Sequence, residues 1–149
     1  MNWFPVLLVT HIALAIALLL PSVLLPFILR RSGGEPGALT RGLMALQGTG
    51  TLVIAAGLAV TGGAMLWILG PDLLTQPWLL VALTLYAINL FVAAVVSRPN
   101  LRALVGLGSG GTDDLTWQRR ARRQRLVAYG MAGLIGVIGF LMSTKPSLW

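Results

Sequence analysis

One histidine stands in this chain, His11, and it lies inside a run fit for lipid. From Phe4 the sequence reads FPVLLVTHIALAIALLLPSVLLPFIL, then stops at Arg30 and Arg31. An ionisable side chain at membrane depth is expensive, so it is read first as a functional group. His11 comes seven residues after Phe4, roughly 10 Å along a helix at about 1.5 Å per residue. Thr61, Met65, Thr84, Tyr86 and Met142 are expected at a similar depth. A neutral imidazole can ligate haem iron or another metal. Met65 or Met142 would then supply a second axial ligand. A zinc site is poor, because no carboxylate or second histidine falls at that depth. Three readings stay open. The foremost is a neutral His11 bonded to a carbonyl, a threonine or Tyr86. The others are a haem or tetrapyrrole contact and proton transfer.

The remaining polar groups restrict the chemistry further. The four acids are Glu35, Asp72, Asp113 and Asp114. None falls inside an apolar run, which disfavours paired-carboxylate catalysis and a carboxylate proton relay. Asp72 reads as a turn residue. Cysteine is absent, which excludes disulfides, thiolate nucleophiles and cysteine metal sites. Gln47, Asn89 and Tyr86 are expected to make hydrogen bonds between helices. Arg119, Arg120, Arg122, Arg123 and Arg125 form a basic run. It is read as a topology signal and a contact for anionic lipid, with docking onto an acidic partner subunit as the rival. Only Trp117 interleaves it, so nucleic acid is not expected. Gly106 to Gly111 (GLGSGG) lacks the Lys-Ser/Thr of a phosphate loop and reads as linker.

The elements that carry these residues follow from composition. The chain has 149 residues, 56% hydrophobic and 10% charged, where a soluble domain has about 25% charged. Its mean hydropathy is +0.85. Long apolar runs make it a membrane protein of one domain. Four spans are expected at about 4–29, 43–69, 77–96 and 126–142. Pro21 and Pro26 interrupt the first, and Ser22 is placed to serve a freed carbonyl. Ala55, Ala59 and Gly63, four apart, suggest a face for close helix approach. Thr40 and Thr75 are expected caps, and Arg98–Pro99 an expected stop. Thr112, Asp113 and Asp114 look like a helix start, so the fourth helix is expected to extend beyond the bilayer on its basic side. Gly130, Gly133, Gly136 and Gly139 recur along it as a packing signal. Trp3, Trp67 and Trp78 suggest an interfacial belt. The N-terminus lacks the pattern of a cleavable signal peptide, and the first segment is expected to remain.

Charge orients the chain. The net charge is +7. Ten of the eleven Lys and Arg lie within 30–41 and 98–125, and only Lys145 lies elsewhere. Short loops rich in Lys and Arg stay cytoplasmic. Both termini and the 70–76 turn are then outside, at a bacterial inner membrane.

The stretches LLVTHIALAIALLLPSVLLPFILRR and TGGAMLWILGPDLLTQPWLLVAL resemble small bacterial four-helix integral membrane families. Those families open with a leucine-rich helix bearing one histidine, followed by a basic turn. In architecture the chain is similar to HemJ-type protoporphyrinogen oxidases and CopD-type copper-resistance proteins. The first resemblance implies haem at His11. Leu14 stands where those oxidases carry an arginine, and the third span holds no lysine. The second resemblance implies more His and Met ligands than this chain has.

The sequence therefore predicts an all-α protein, a four-transmembrane-helix bundle running up-down-up-down. Its expected role is structural or accessory, packed in a larger membrane assembly of other subunits or copies of itself. The alternative is a haem- or tetrapyrrole-binding redox protein using His11.

Overall fold

In hydrocarbon every backbone N–H and C=O must find its partner within the protein, which leaves long apolar runs the helix as their form. The computed structural model describes residues 3–31, 37–108 and 114–146, and these form helices and connecting turns with no strand. Among them, four helical rods are long and apolar enough to cross a membrane: Phe4–Arg30, Ala38–Leu69, Pro77–Leu107 and Leu115–Thr144. They span 27, 32, 31 and 30 residues, about 40–48 Å each at 1.5 Å per residue. A hydrocarbon core is about 30 Å thick, so each rod is long enough to reach the headgroup layer.

The first rod, α1 (Phe4–Arg31), is helical through both internal prolines. Pro21, Ser22, Leu25, Pro26 and Leu29 are all buried, so the proline face is the face turned to the bundle. The Ser22 hydroxyl donates to the Leu18 carbonyl at 3.4 Å. This is not the Ala17 carbonyl that Pro21 leaves without its usual partner.

The second rod joins α2 (Ala38–Ala45), a π-helical turn (Leu46–Gly50) and α3 (Thr51–Leu69). It begins five residues before the expected start at 43. Gly37 precedes the first turn, and Thr40 lies inside the helix, buried, rather than capping it. Thr40 and Met44, four apart, anchor this early turn to the core. Gly70 ends the rod at φ +98°, a conformation that suits glycine because a Cβ would be strained there. A 3₁₀ turn (Pro71–Thr75) follows, in which the Thr75 hydroxyl donates to the Asp72 carbonyl at 2.7 Å. Thr75 thus closes this turn, and Gln76 occupies the cap position before Pro77.

The third rod joins α4 (Pro77–Phe91), a second π turn (Val92–Ser97) and α5 (Arg98–Gly108). The expected stop at Arg98–Pro99 is not a stop. A proline ring clashes with the carbonyl four residues earlier, here Val95. That carbonyl lies in the π turn, whose wider winding displaces it from the ordinary α position. Leu101 and Leu104, 2% and 0% exposed, then hold the continuing helix to the core. Gly106–Gly108 are helical rather than linker. The fourth rod, α6, runs Asp114–Thr144. Glu35, residues 109–111, Thr112 and Asp113 lie outside the described residues.

Two clusters form the interior. One gathers Leu25 and Leu29 of α1, Met44 of α2, Leu101 and Leu104 of α5, and Trp117 and Ala121 of α6. The other joins Leu18, Leu58 and Ile135, with Leu14, Ile54 and Tyr86 against them. The close approach of α1 to α3 does not use the Ala55–Ala59–Gly63 face. Ala55 is buried, but Ala59 and Gly63 are exposed. Steps of four drift about 40° each on a helix of 3.6 residues per turn, so the second and third members rotate away. A Cβ on Gly57 would instead lie 3.2 Å from Leu14 Cδ1, and one on Gly62 would lie 3.3 Å from His11 Cε1.

Candidate functional site

His11 is half-buried on α1, and its Nδ1 lies 2.8 Å from Thr61 Oγ1 on α3. The same hydroxyl lies 2.9 Å from the Gly57 carbonyl and 3.2 Å from that of Leu58. A hydroxyl carries one proton and two lone pairs. With the proton directed back at the helix carbonyls, Thr61 accepts from His11 Nδ1–H. That arrangement leaves Nε2 unprotonated, the state an imidazole needs to bind a metal through it. Met65 and Met142 are half-buried on α3 and α6, both of which pack on α1. Thr84 does not join His11: its hydroxyl donates to Leu80 O of its own helix at 2.8 Å. Tyr86 donates to the Ala55 carbonyl at 2.6 Å, which links α4 to α3.

A second polar site lies toward the other end of the bundle, where the arginines are. Gln124 of α6 is fully buried and donates through Nε2 to Ser97 Oγ at 2.8 Å. Its Oε1 accepts from Asn100 Nδ2 at 3.0 Å, and the same Nδ2 lies 3.2 Å from the Arg120 carbonyl. These bonds fix both amide orientations, since a flipped Asn100 would set oxygen against oxygen. Asn100 Oδ1 is then buried without a partner. Ser97 ends the second π turn, and Gln47 sits in the first. The two π turns pack on each other and both pack on α5. Gln47 is 0% exposed, and neither of its amide atoms has a partner. π turns are rare and are frequent at functional sites.

The basic run divides by geometry. Arg119, Arg120 and Arg123 line a cleft of about 300 Å³ together with Asn100 and Thr116. Arg122 and Arg125 do not line it. At about 100° per residue, 116, 119, 120 and 123 share one side of α6 while 122 and 125 turn away.

Several sequence expectations land differently. Asn89 is buried, yet its Oδ1 is unpartnered. Trp3 and Trp67 are exposed as a belt would require, but Trp78 packs into the bundle. Trp117 is core, with Nε1 unpartnered. Ser97 and Asn100 carry no signal in the sequence because they flank the expected stop at Arg98–Pro99, and Gln124 carries none because it stands among the arginines of the expected extension. Continuing the helix through Pro99 places Ser97, Asn100 and Leu104 on one side at helical spacing, which was the available cue. Comparisons with protein-family models, curated proteins and solved structures return no match to this chain.

Proposed function

We propose that this chain is a small accessory subunit of a membrane assembly, docking a partner's helix along α6. The observation that carries the reading is a set of open glycines, of which Gly133 and Gly136 lie about 60° apart around the helix. Gly130, Gly133, Gly136 and Gly139 are exposed, and a Cβ on any of them would meet nothing within 4 Å. Tyr129 and Phe140 flank them, also exposed. In lipid, helices associate where small residues let backbones approach closely. Glycine lowers helix stability without packing gain here, so an uncovered run of it is explained by a neighbour. The rods are read as running up-down-up-down across a bacterial inner membrane. The arginine-rich ends lie on the cytoplasmic side among anionic headgroups, and both termini lie outside. The test is purification in mild detergent with crosslinking from α6. A defined partner subunit or second copy lost in Gly133→Leu/Gly136→Leu, with unchanged melting, supports the reading. A lone monomer that never crosslinks in the membrane rejects it.

One observation favours a second reading, a tetrapyrrole held at His11. The Thr61 bond orients the ring and leaves Nε2 available, as in metal-binding histidines steadied from behind. His11 would hold the group, Met65 and Met142 are the residues that would supply a second ligand, and a bound haem would supply one-electron chemistry. An absorption spectrum decides: a Soret band lost in His11→Ala supports it, and a colourless native preparation removes it.

A further inference from the structure

We infer that the cleft between α5 and α6 is a binding site for a phosphate group that carries a neighbouring hydroxyl, from a lipid headgroup or a soluble phosphate. Arg119, Arg120 and Arg123 converge on it with Thr116 and Asn100. Guanidinium groups are matched to phosphate, since their planar forks give paired, charge-assisted hydrogen bonds. Among the described residues no carboxylate lines the cleft. A solvated basic face would leave it at that. Asn100 adds something a solvated face does not need. It is 5% exposed, its Nδ2 is committed to Gln124 and Arg120, and its Oδ1 is buried with no donor. A buried unpartnered carbonyl oxygen calls for a ligand or water that donates. A phosphodiester offers only acceptors at neutral pH, whereas a glycerol-type hydroxyl beside it supplies the donor. Three arginines for the phosphate, with the buried Asn100 oxygen among the lining residues for the hydroxyl, are the basis for inferring a glycerol phosphodiester.

This site deepens the reading that the basic end meets anionic headgroups, and it is independent of any partner at the open glycines. Native mass spectrometry of the full chain in detergent tests it, with phosphatidylglycerol, phosphatidylcholine, glycerol phosphate and inorganic phosphate as separate probes. Two double variants carry equal charge loss: R120Q/R123Q in the cleft and R122Q/R125Q outside it. The expected result is binding weakened about tenfold or more by the first pair and less than about twofold by the second. Preference for phosphatidylglycerol over the soluble phosphates assigns the site to lipid. Binding of glycerol phosphate with the same dependence on Arg120 and Arg123 assigns it to a soluble ligand. Equal weakening by both pairs reduces the cleft to surface charge and overturns the proposal. So does failure of every probe to exceed phosphatidylcholine. Because the soluble probes need no bilayer, failure of the orientation reading leaves this result intact.

Discussion

His11 on α1 and Thr61 on α3 are joined through Nδ1 and Oγ1 at 2.8 Å, with Gly62 of α3 packed beside the imidazole. The pair crosses between two helices that also meet through Leu14 and Gly57. It gives the only histidine a polar partner at a depth where water is scarce. Hydrogen bonds between membrane helices average about 0.6 kcal/mol and reach about 1.7. A double-mutant cycle with His11→Ala and Thr61→Val, read by unfolding in micelles, should return a coupling energy in that range. Strictly additive effects would mean that the bond contributes nothing to the fold.

Gln47 and Gln124 are both fully buried amides, yet they predict opposite signs. Gln47 is unpartnered, and an unpaired buried amide costs about 1–3 kcal/mol by mutational measures. Gln47→Leu is expected to raise the melting temperature. A lower melting temperature would show that a bound water or ligand satisfies the amide.

Gln124→Leu should destabilise by about 1–3 kcal/mol, because it strips partners from Ser97 and Asn100 inside the bundle. Melting of the single variant checks this. Asn100→Leu/Gln124→Leu should recover part of the loss, since removing both ends of a buried pair costs less than orphaning one.

Glycines on the two sides of the bundle should respond differently to bulk. Gly57 faces Leu14 at close range, so Gly57→Leu overpacks the α1–α3 contact and should cost about 1–3 kcal/mol. Gly133 faces open space, so Gly133→Leu should leave the monomer's melting unchanged and act only on association. Thermal unfolding alongside crosslinking separates the two effects. Equal destabilisation would place Gly133 in the interior of the fold.

The absence of cysteine makes the orientation directly measurable. Single-cysteine variants can be labelled without background. Leu74→Cys in the 3₁₀ turn should react with a membrane-impermeant maleimide in intact cells. Gly37→Cys, before α2, should react only after permeabilisation. The reverse pattern would invert the proposed topology.

The sequence by itself determined the helical class, the four apolar rods and the segregation of the arginines. These follow from composition and run length, because lipid leaves a long apolar chain no other form. Gly70 and Pro77 marked a turn correctly, since φ > 0 and a missing N–H act locally. Pro99 misled, because whether a proline breaks a helix depends on the winding of the turn before it and on the burial of Leu101 and Leu104 after it. His11 was legible as a singular group, and Thr61 was among several possible partners at its depth. Only the packing of α1 on α3 chose Thr61 over Thr84 and Tyr86, through the rotation of each helix about its own axis. The same rotation decided that Ala59 and Gly63 face away, and that three of the five arginines share a cleft with Asn100. Rotation and register come from side chains meeting across helices, and residues distant in the chain enter that choice together.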